Sequence, residues 1–85
     1  MYYIFSFRSR HESMCFYERC TKVTIATKII ATPRVISIGC GLSVKVGCDD
    51  IAAASELLGI CGYNTLLGQF YFDGKNYTRV QVYTQ

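Results

Sequence analysis

Apolar and smaller residues alternate from the start of the chain. In Tyr2-Tyr3-Ile4-Phe5-Ser6-Phe7-Arg8, Tyr3, Phe5 and Phe7 fall on one side, the period-two signature of a strand. His11 to about Lys22 holds neither Gly nor Pro and fits a helix, with Met14, Tyr17 and Cys20 or Thr21 toward the core. Ser9 is its expected N-cap, and Glu12 three residues on would complete a capping box. The β-branched run Val23 to Ile30 predicts a second strand, and the clean alternation of Leu42-Ser43-Val44-Lys45-Val46 a third. Asp49 and Asp50 suit the positive end of a second helix, whose stripe Ile51, Ala54, Leu58 and Cys61 is spaced three, four, three. Gly62 is placed to stop that helix. Asn64 to Phe72 and Tyr77 to Tyr83 predict two more strands around Asp73-Gly74-Lys75-Asn76, a hairpin turn.

The order β-α-β-β-α-β-β is the split βαβ arrangement of an α+β, ferredoxin-like fold with an added C-terminal hairpin strand. The expectation is an antiparallel sheet with both helices on one face and Leu42, Val44, Val46, Ile51, Ala54 and Leu58 buried. In this topology the first two strands run parallel through a right-handed crossover, and the third lies antiparallel between them. The end of strand one, the connection between strands two and three, and the end of helix two then share one edge of the sheet. That edge gathers Arg8, Ser9, Arg10 and His11 with Cys40 and the Cys61-Gly62 corner, while Cys20 and Cys48 fall at the other.

Composition narrows the function classes. Eighty-five residues make one domain over residues 1–85 with a modest core. An apolar fraction of 51% with 18% charged residues excludes disorder and favours a well-covered or self-associating fold. A homodimer through the sheet or its C-terminal edge strand is expected, because the helix-free face carries tyrosines, Tyr77 and Tyr83 beside Arg79 among them. The net charge of +3 is scattered over the chain, so no nucleic-acid partner is expected. No apolar run reaches the ~18 residues that span a membrane, and the first residues lack a basic leader region, so no membrane partner and a cytoplasmic location are expected. Five cysteines, Cys15, Cys20, Cys40, Cys48 and Cys61, form an odd set whose spacings match no zinc or haem pattern, so no metal site and no cofactor are expected.

The candidate chemistry centres on Cys40, set between Gly39 and Gly41 seven residues after the only proline, Pro33. Two flanking glycines permit turns closed to other residues and leave a sulfur unshielded. Arg34, Arg8, Arg10 and His11 are the cations expected near it, and such neighbours lower a thiol pKa from ~8.5 into the range ~3.5–7.5. A thiolate of that kind suits a residue that carries a group as a persulfide or its selenium equivalent and passes it on by exchange. The alternative is that the glycines only tighten a turn and Cys40 fills space beneath it. For His11 the alternative is a solvated residue in a helix's first turn, and for Cys15, Cys20 and Cys61 burial is the ordinary expectation. Asp49 and Asp50 read as a helix start and not as an acid/base pair, so no independent enzyme is indicated.

Pro33-Arg34-Val35-Ile36-Ser37-Ile38-Gly39-Cys40-Gly41-Leu42 resembles the signature of the selenium/sulfur carrier-like family of small bacterial domains, Pro-Arg-x-Ile-Ser-x-Gly/Ser-Cys-Gly. The similarity extends to Ser9, His11 and the Asp-led second helix, over roughly residues 2 to 72. It implies Cys40 as the carrier thiol, Pro33, Arg34, Ser37, Gly39 and Gly41 as its binding surround, and a cysteine desulfurase or sulfur-relay protein as partner in trans. The rival class is a binding or protein-interaction module, such as a nucleic-acid-stacking sheet, in which Cys40 is structural. The absence of aromatics from Leu42 to Val46 weighs against stacking.

Overall fold

The order of strands in the sheet is β2-β3-β1-β4-β5, every neighbouring pair antiparallel, in a computed structural model that describes residues 1–38 and 41–80. The elements are β1 (Tyr2–Phe7), α1 (Arg10–Lys22), β2 (Thr27–Ala31), β3 (Leu42–Val46), α2 (Ile51–Cys61), β4 (Leu66–Phe72) and β5 (Tyr77–Val80). This is the ferredoxin-like split βαβ arrangement with one strand added at an edge. Of the predicted last strand, residues 81–83 lie outside the described residues, as do Gly39 and Cys40.

β1 is central, with β3 on one side (Phe5↔Val44, Phe7↔Leu42) and β4 on the other (Phe5↔Gln69). Its alternation puts Phe5 and Phe7 under the helices, where they join Phe16, Cys20, Ile25, Val44, Val46, Ala54 and Leu58 in the core. Phe16 is the hub. Its ring lies 5.0 Å from Phe5, 5.7 Å from Phe7 and 5.9 Å from Tyr63, separations at which aromatic pairs attract beyond their area burial. Of the six expected core residues, Val44, Val46, Ala54 and Leu58 are buried, while Leu42 and Ile51 are half-buried at its margin.

Two expectations need correction. α1 is rotated from the expected phase: its buried residues are Ser13, Phe16 and Cys20, and Met14 is exposed. Burying a serine is tolerable because Ser13 Oγ is hydrogen-bonded to the Leu42 carbonyl (2.9 Å) and to that of Ser9 (3.1 Å). The second strand begins at Thr27 and not Val23. Val23, Thr24 and Ile25 wrap the end of α1 instead, donating backbone bonds to the carbonyls of Arg19, Cys20 and Thr21. Thr24 there takes a left-handed φ of 62°, and Ile25 turns into the core. Helix α2 opens with a 3₁₀ turn, Cys48–Asp50, and stops at left-handed Gly62 (φ 63°), where only glycine is unstrained.

The face away from the helices is also closed. Ile4, Ser6 and Ser43 are fully buried there and Phe70 nearly so. Phe72 packs in tilted contact on Tyr2 and Tyr77, which meet each other edge-on, Lys45 Nζ sits 4.3 Å from the Tyr2 ring centre, and Arg79 covers Phe70. Pro33, Arg34 and Val35 share a cleft with Lys75 and Asn76 of the β4–β5 turn and Tyr77 at the start of β5. Asp73 shapes that turn by accepting from the backbone N–H of Asn76 and of Lys75, both at 2.8 Å, which lowers its pKa.

Candidate functional site

The shared sheet edge is assembled as the topology requires, and hydroxyl groups do most of the joining. Ser9 caps α1 by accepting from the Glu12 backbone N–H at 3.2 Å. The second half of the expected capping box is absent. The Glu12 carboxylate reaches instead across to the segment before β4, accepting from Thr65 Oγ1 (2.6 Å), Thr65 N (2.9 Å) and Asn64 N (3.3 Å). Those donors favour the charged carboxylate and hold its pKa below the usual range, Thr65 contributing most. Thr65 also accepts from Ser9 N and from Arg8 N, so the α2–β4 segment and the start of α1 are bound into one corner.

The connection that carries the candidate cysteine is rooted in this corner. At its base Thr32 N donates to the Gly41 carbonyl (3.2 Å), and Ser13 Oγ donates to the next carbonyl, Leu42. Thr32 Oγ1, Ser43 Oγ and Ser6 Oγ form a buried hydroxyl chain across the ends of β2, β3 and β1, with links of 2.9 and 2.7 Å. Each hydroxyl both donates and accepts, so a chain satisfies groups that would otherwise be orphaned inside the sheet.

Gly41 has a requirement of its own. A Cβ there would lie 3.0 Å from the Phe7 carbonyl oxygen and 3.3 Å from Thr32 Oγ1. The loop backbone thus runs tight against β1, and a side chain would fit only if a neighbour gave by a few tenths of an ångström. Thr32, Ser43, Ser6, Ser13 and Thr65 were not singled out from the sequence. The usable signal was Ser6, the one polar residue among the aromatics and Ile4 of β1, where a buried hydroxyl demands a partner.

The other expected site residues are distributed around this base. Pro33 is half-buried, and its carbonyl accepts from Ile36 N and Ser37 N, which curls the start of the loop. Ser37 is half-buried, and Arg34 and Ile38 are exposed. Cys40 and Gly39, the centre of the expected site, lie outside the described residues. His11 is exposed in the first turn of α1, and its Nε2 lies 3.6 Å from Cys15 Sγ. The structure therefore pairs His11 with a cysteine that the sequence had marked for burial.

Four cysteines are described, all as free thiols. Cys20 is buried, and burial together with the nearby Cys61 pushes its thiol up to about 11. Cys61 is half-buried and not a core residue; it faces the buried hydroxyl of Tyr63, and burial first, then the contact with Cys61, pushes that hydroxyl's pKa up. Cys48 is exposed at the opposite edge, 3.8 Å from the Met1 carbonyl. No group of three or more His, Cys, Asp or Glu side chains among the described residues is arranged to hold a metal, and no described helix is long and apolar enough to cross a membrane.

A split βαβ sheet with a motif-bearing loop rooted by hydroxyls at one edge defines a small α+β domain built around a single connection. The chain belongs to the family described as "Putative Se/S carrier protein-like", whose model matches residues 2–64. The matched span takes in β1 to α2 and the whole Pro33–Leu42 stretch, and ends just before β4. No curated protein and no solved structure matches the chain.

Proposed function

We propose that this protein carries reactive sulfur or selenium on Cys40, as a persulfide or its selenium equivalent, and hands it on by thiol exchange. The observation that carries this reading is membership of the carrier-like family, through a match that includes the Gly39-Cys40-Gly41 stretch. The rooted loop supports it, because the carbonyls of Gly41 and Leu42 are both held by hydrogen bonds and Arg34 stands exposed in the same connection.

The chemistry is a pair of exchanges. The Cys40 thiolate attacks the outer sulfur of a donor persulfide, the donor S–S bond breaks, and the donor leaves as its thiolate. An acceptor thiolate repeats the step on the Cys40 persulfide. A cysteine desulfurase or relay protein supplies the group in trans in a cytoplasmic setting, and the protein acts as a group carrier.

Incubation with a cysteine desulfurase and its substrate should add the mass of one sulfur to the Cys40 peptide, and Cys40→Ala should abolish the adduct. Cys40 should also be alkylated at lower pH than the buried Cys20. A Cys40 that gains no mass and is alkylated as slowly as Cys20 refutes the reading. Self-association through the Tyr2–Phe72–Tyr77 face or the β5 edge belongs to the same proposal. A strict monomer by light scattering at ~100 μM would exclude an interface of ordinary stable size.

A further inference from the structure

The charges scattered along the sequence are sorted in space. Five of the six acids, Glu12, Glu18, Asp49, Asp50 and Glu56, belong to the helices or to the turn that opens α2. The helix-free face carries cations instead. Lys28 and Lys45 stand directly opposite each other on β2 and β3, and Arg79 joins them from β5 on the face that holds Tyr2 and Ile4. Like charges paired across strands are destabilising, a repulsion that a bound anion relieves.

The connection after β2 brings further charge to this face. β2 ends beside Leu42 and Phe7, whereas Tyr77 lies beside Phe72 and Tyr2 at the other end of the strands. Pro33, Arg34 and Val35 nonetheless line one cleft of about 280 Å³ with Lys75, Asn76 and Tyr77, so the connection crosses the helix-free face to reach the β4–β5 hairpin. No carboxylate among the described residues lines that cleft. Asp73, the nearest acid in the chain, accepts from Lys75 N and Asn76 N within its own turn. Both walls are braced: the Pro33 carbonyl accepts from Ile36 N and Ser37 N, and the Tyr77 hydroxyl is hydrogen-bonded to that of Tyr2 at 2.9 Å.

We infer that this cleft is a binding site for a small phosphomonoester. The Arg34 guanidinium offers paired N–H donors to two phosphate oxygens, and Lys75 adds a second positive charge from the facing wall. Two positive charges match a phosphate dianion better than a monovalent carboxylate. Pro33, Val35 and the Tyr77 ring give the organic part of the ligand an apolar wall.

The test is a titration of the intact, isotope-labelled chain with phenyl phosphate, followed by the amide resonances of Arg34, Val35, Lys75 and Asn76. These should shift saturably with a Kd of about 1 mM or tighter, and about tenfold tighter than for benzoate, which has the ring and one charge only. Arg34→Gln and Lys75→Gln, both exposed, should each weaken phenyl phosphate about tenfold. Lys22→Gln, at the end of α1, should leave it unchanged. The assignment is overturned by shifts that do not saturate, by benzoate binding as tightly, or by affinity that survives either cleft substitution. It is equally overturned if a single-stranded oligonucleotide shifts these resonances and phenyl phosphate does not. No cysteine takes part, so this site and the carrier reading fail separately.

Discussion

Replacing Gly41 by alanine tests whether the loop is held by close backbone approach or merely turned by a flexible residue. The new Cβ would meet the Phe7 carbonyl oxygen at 3.0 Å, closer than carbon and oxygen tolerate without movement. That oxygen belongs to β1, the central strand, which is paired on both sides and cannot yield cheaply. Thr32 Oγ1, the second neighbour at 3.3 Å, is itself tied to Ser43. Relief therefore has to come from the loop root, and overpacking of this kind costs about 1–3 kcal/mol. In a domain of this size each kcal/mol lowers Tm by about 4–8 °C. Gly47 and Gly59 are internal controls, because a Cβ at either meets nothing within 4 Å. Gly59 lies inside α2, so Gly59→Ala should stabilise by up to about 1 kcal/mol. Urea unfolding of the three variants, compared at equal m-value, reads the differences directly. A Gly41→Ala midpoint within about 0.5 kcal/mol of the parent, or level with Gly59→Ala, would refute the reasoning. The second glycine would then serve only to uncover the neighbouring thiol.

Three further outcomes follow from the packing and the titrating groups. Phe16→Ala removes the ring that joins Phe5, Phe7 and Tyr63 and should cost about 3–5 kcal/mol in thermal or urea unfolding monitored by circular dichroism. The lowered pKa values of Glu12 and Asp73 contribute stability that is complete above their ordinary values of 4.5 and 3.8 and is lost as pH falls through the lower folded-state values. A stability–pH curve should accordingly fall on its acid side, and less steeply in Glu12→Gln. Cys20 is shifted the other way, from 9.0 to about 11, so its contribution is complete below pH 9.0 and disappears as pH rises toward 11. Cys20→Ala should be less stable at neutral pH yet decline more gently over that alkaline interval. An unchanged alkaline slope would mean that the thiol is not desolvated.

Much of this architecture is legible in the chain because several local rules agree. The alternation of Phe5 and Phe7 fixes which face of β1 lies under the helices, and Asp73-Gly74 turns the last hairpin in the manner expected of those residues. Gly62 ends α2, and Ser9 caps α1. The misreadings share a cause, which is that tertiary hydrogen bonds overrule single-residue tendencies. Ser13 looks like a surface residue until the Leu42 carbonyl is seen to receive its hydroxyl, and without it the α1 stripe reads one residue out of phase. Val23-Thr24-Ile25 has the composition of a strand, but the carbonyls at the end of α1 capture its N–H groups. Glu12 satisfies the capping-box pattern in sequence, yet Thr65 Oγ1, Thr65 N and Asn64 N draw its carboxylate to a distant segment. The edge that gathers Arg8 to His11 with the cysteine connection was legible from topology alone. The partner His11 takes on that edge, Cys15, followed only from where its ring points.

The central position of β1 has a consequence for how the chain comes to be folded. β1 is the earliest strand to be synthesised, yet it is the one whose completion waits longest, since its neighbours β3 and β4 arrive about 40 and 65 residues later. At the ordinary pace of translation, about 5–20 residues per second, Phe7 precedes Phe72 by roughly 3–13 s. Until β4 follows, the most aromatic of the described strands has at least one unpaired edge. The central strand is thus made before both of its neighbours and completed only by β4, and a strand with an open edge is the natural first contact for a chaperone or for a second nascent copy.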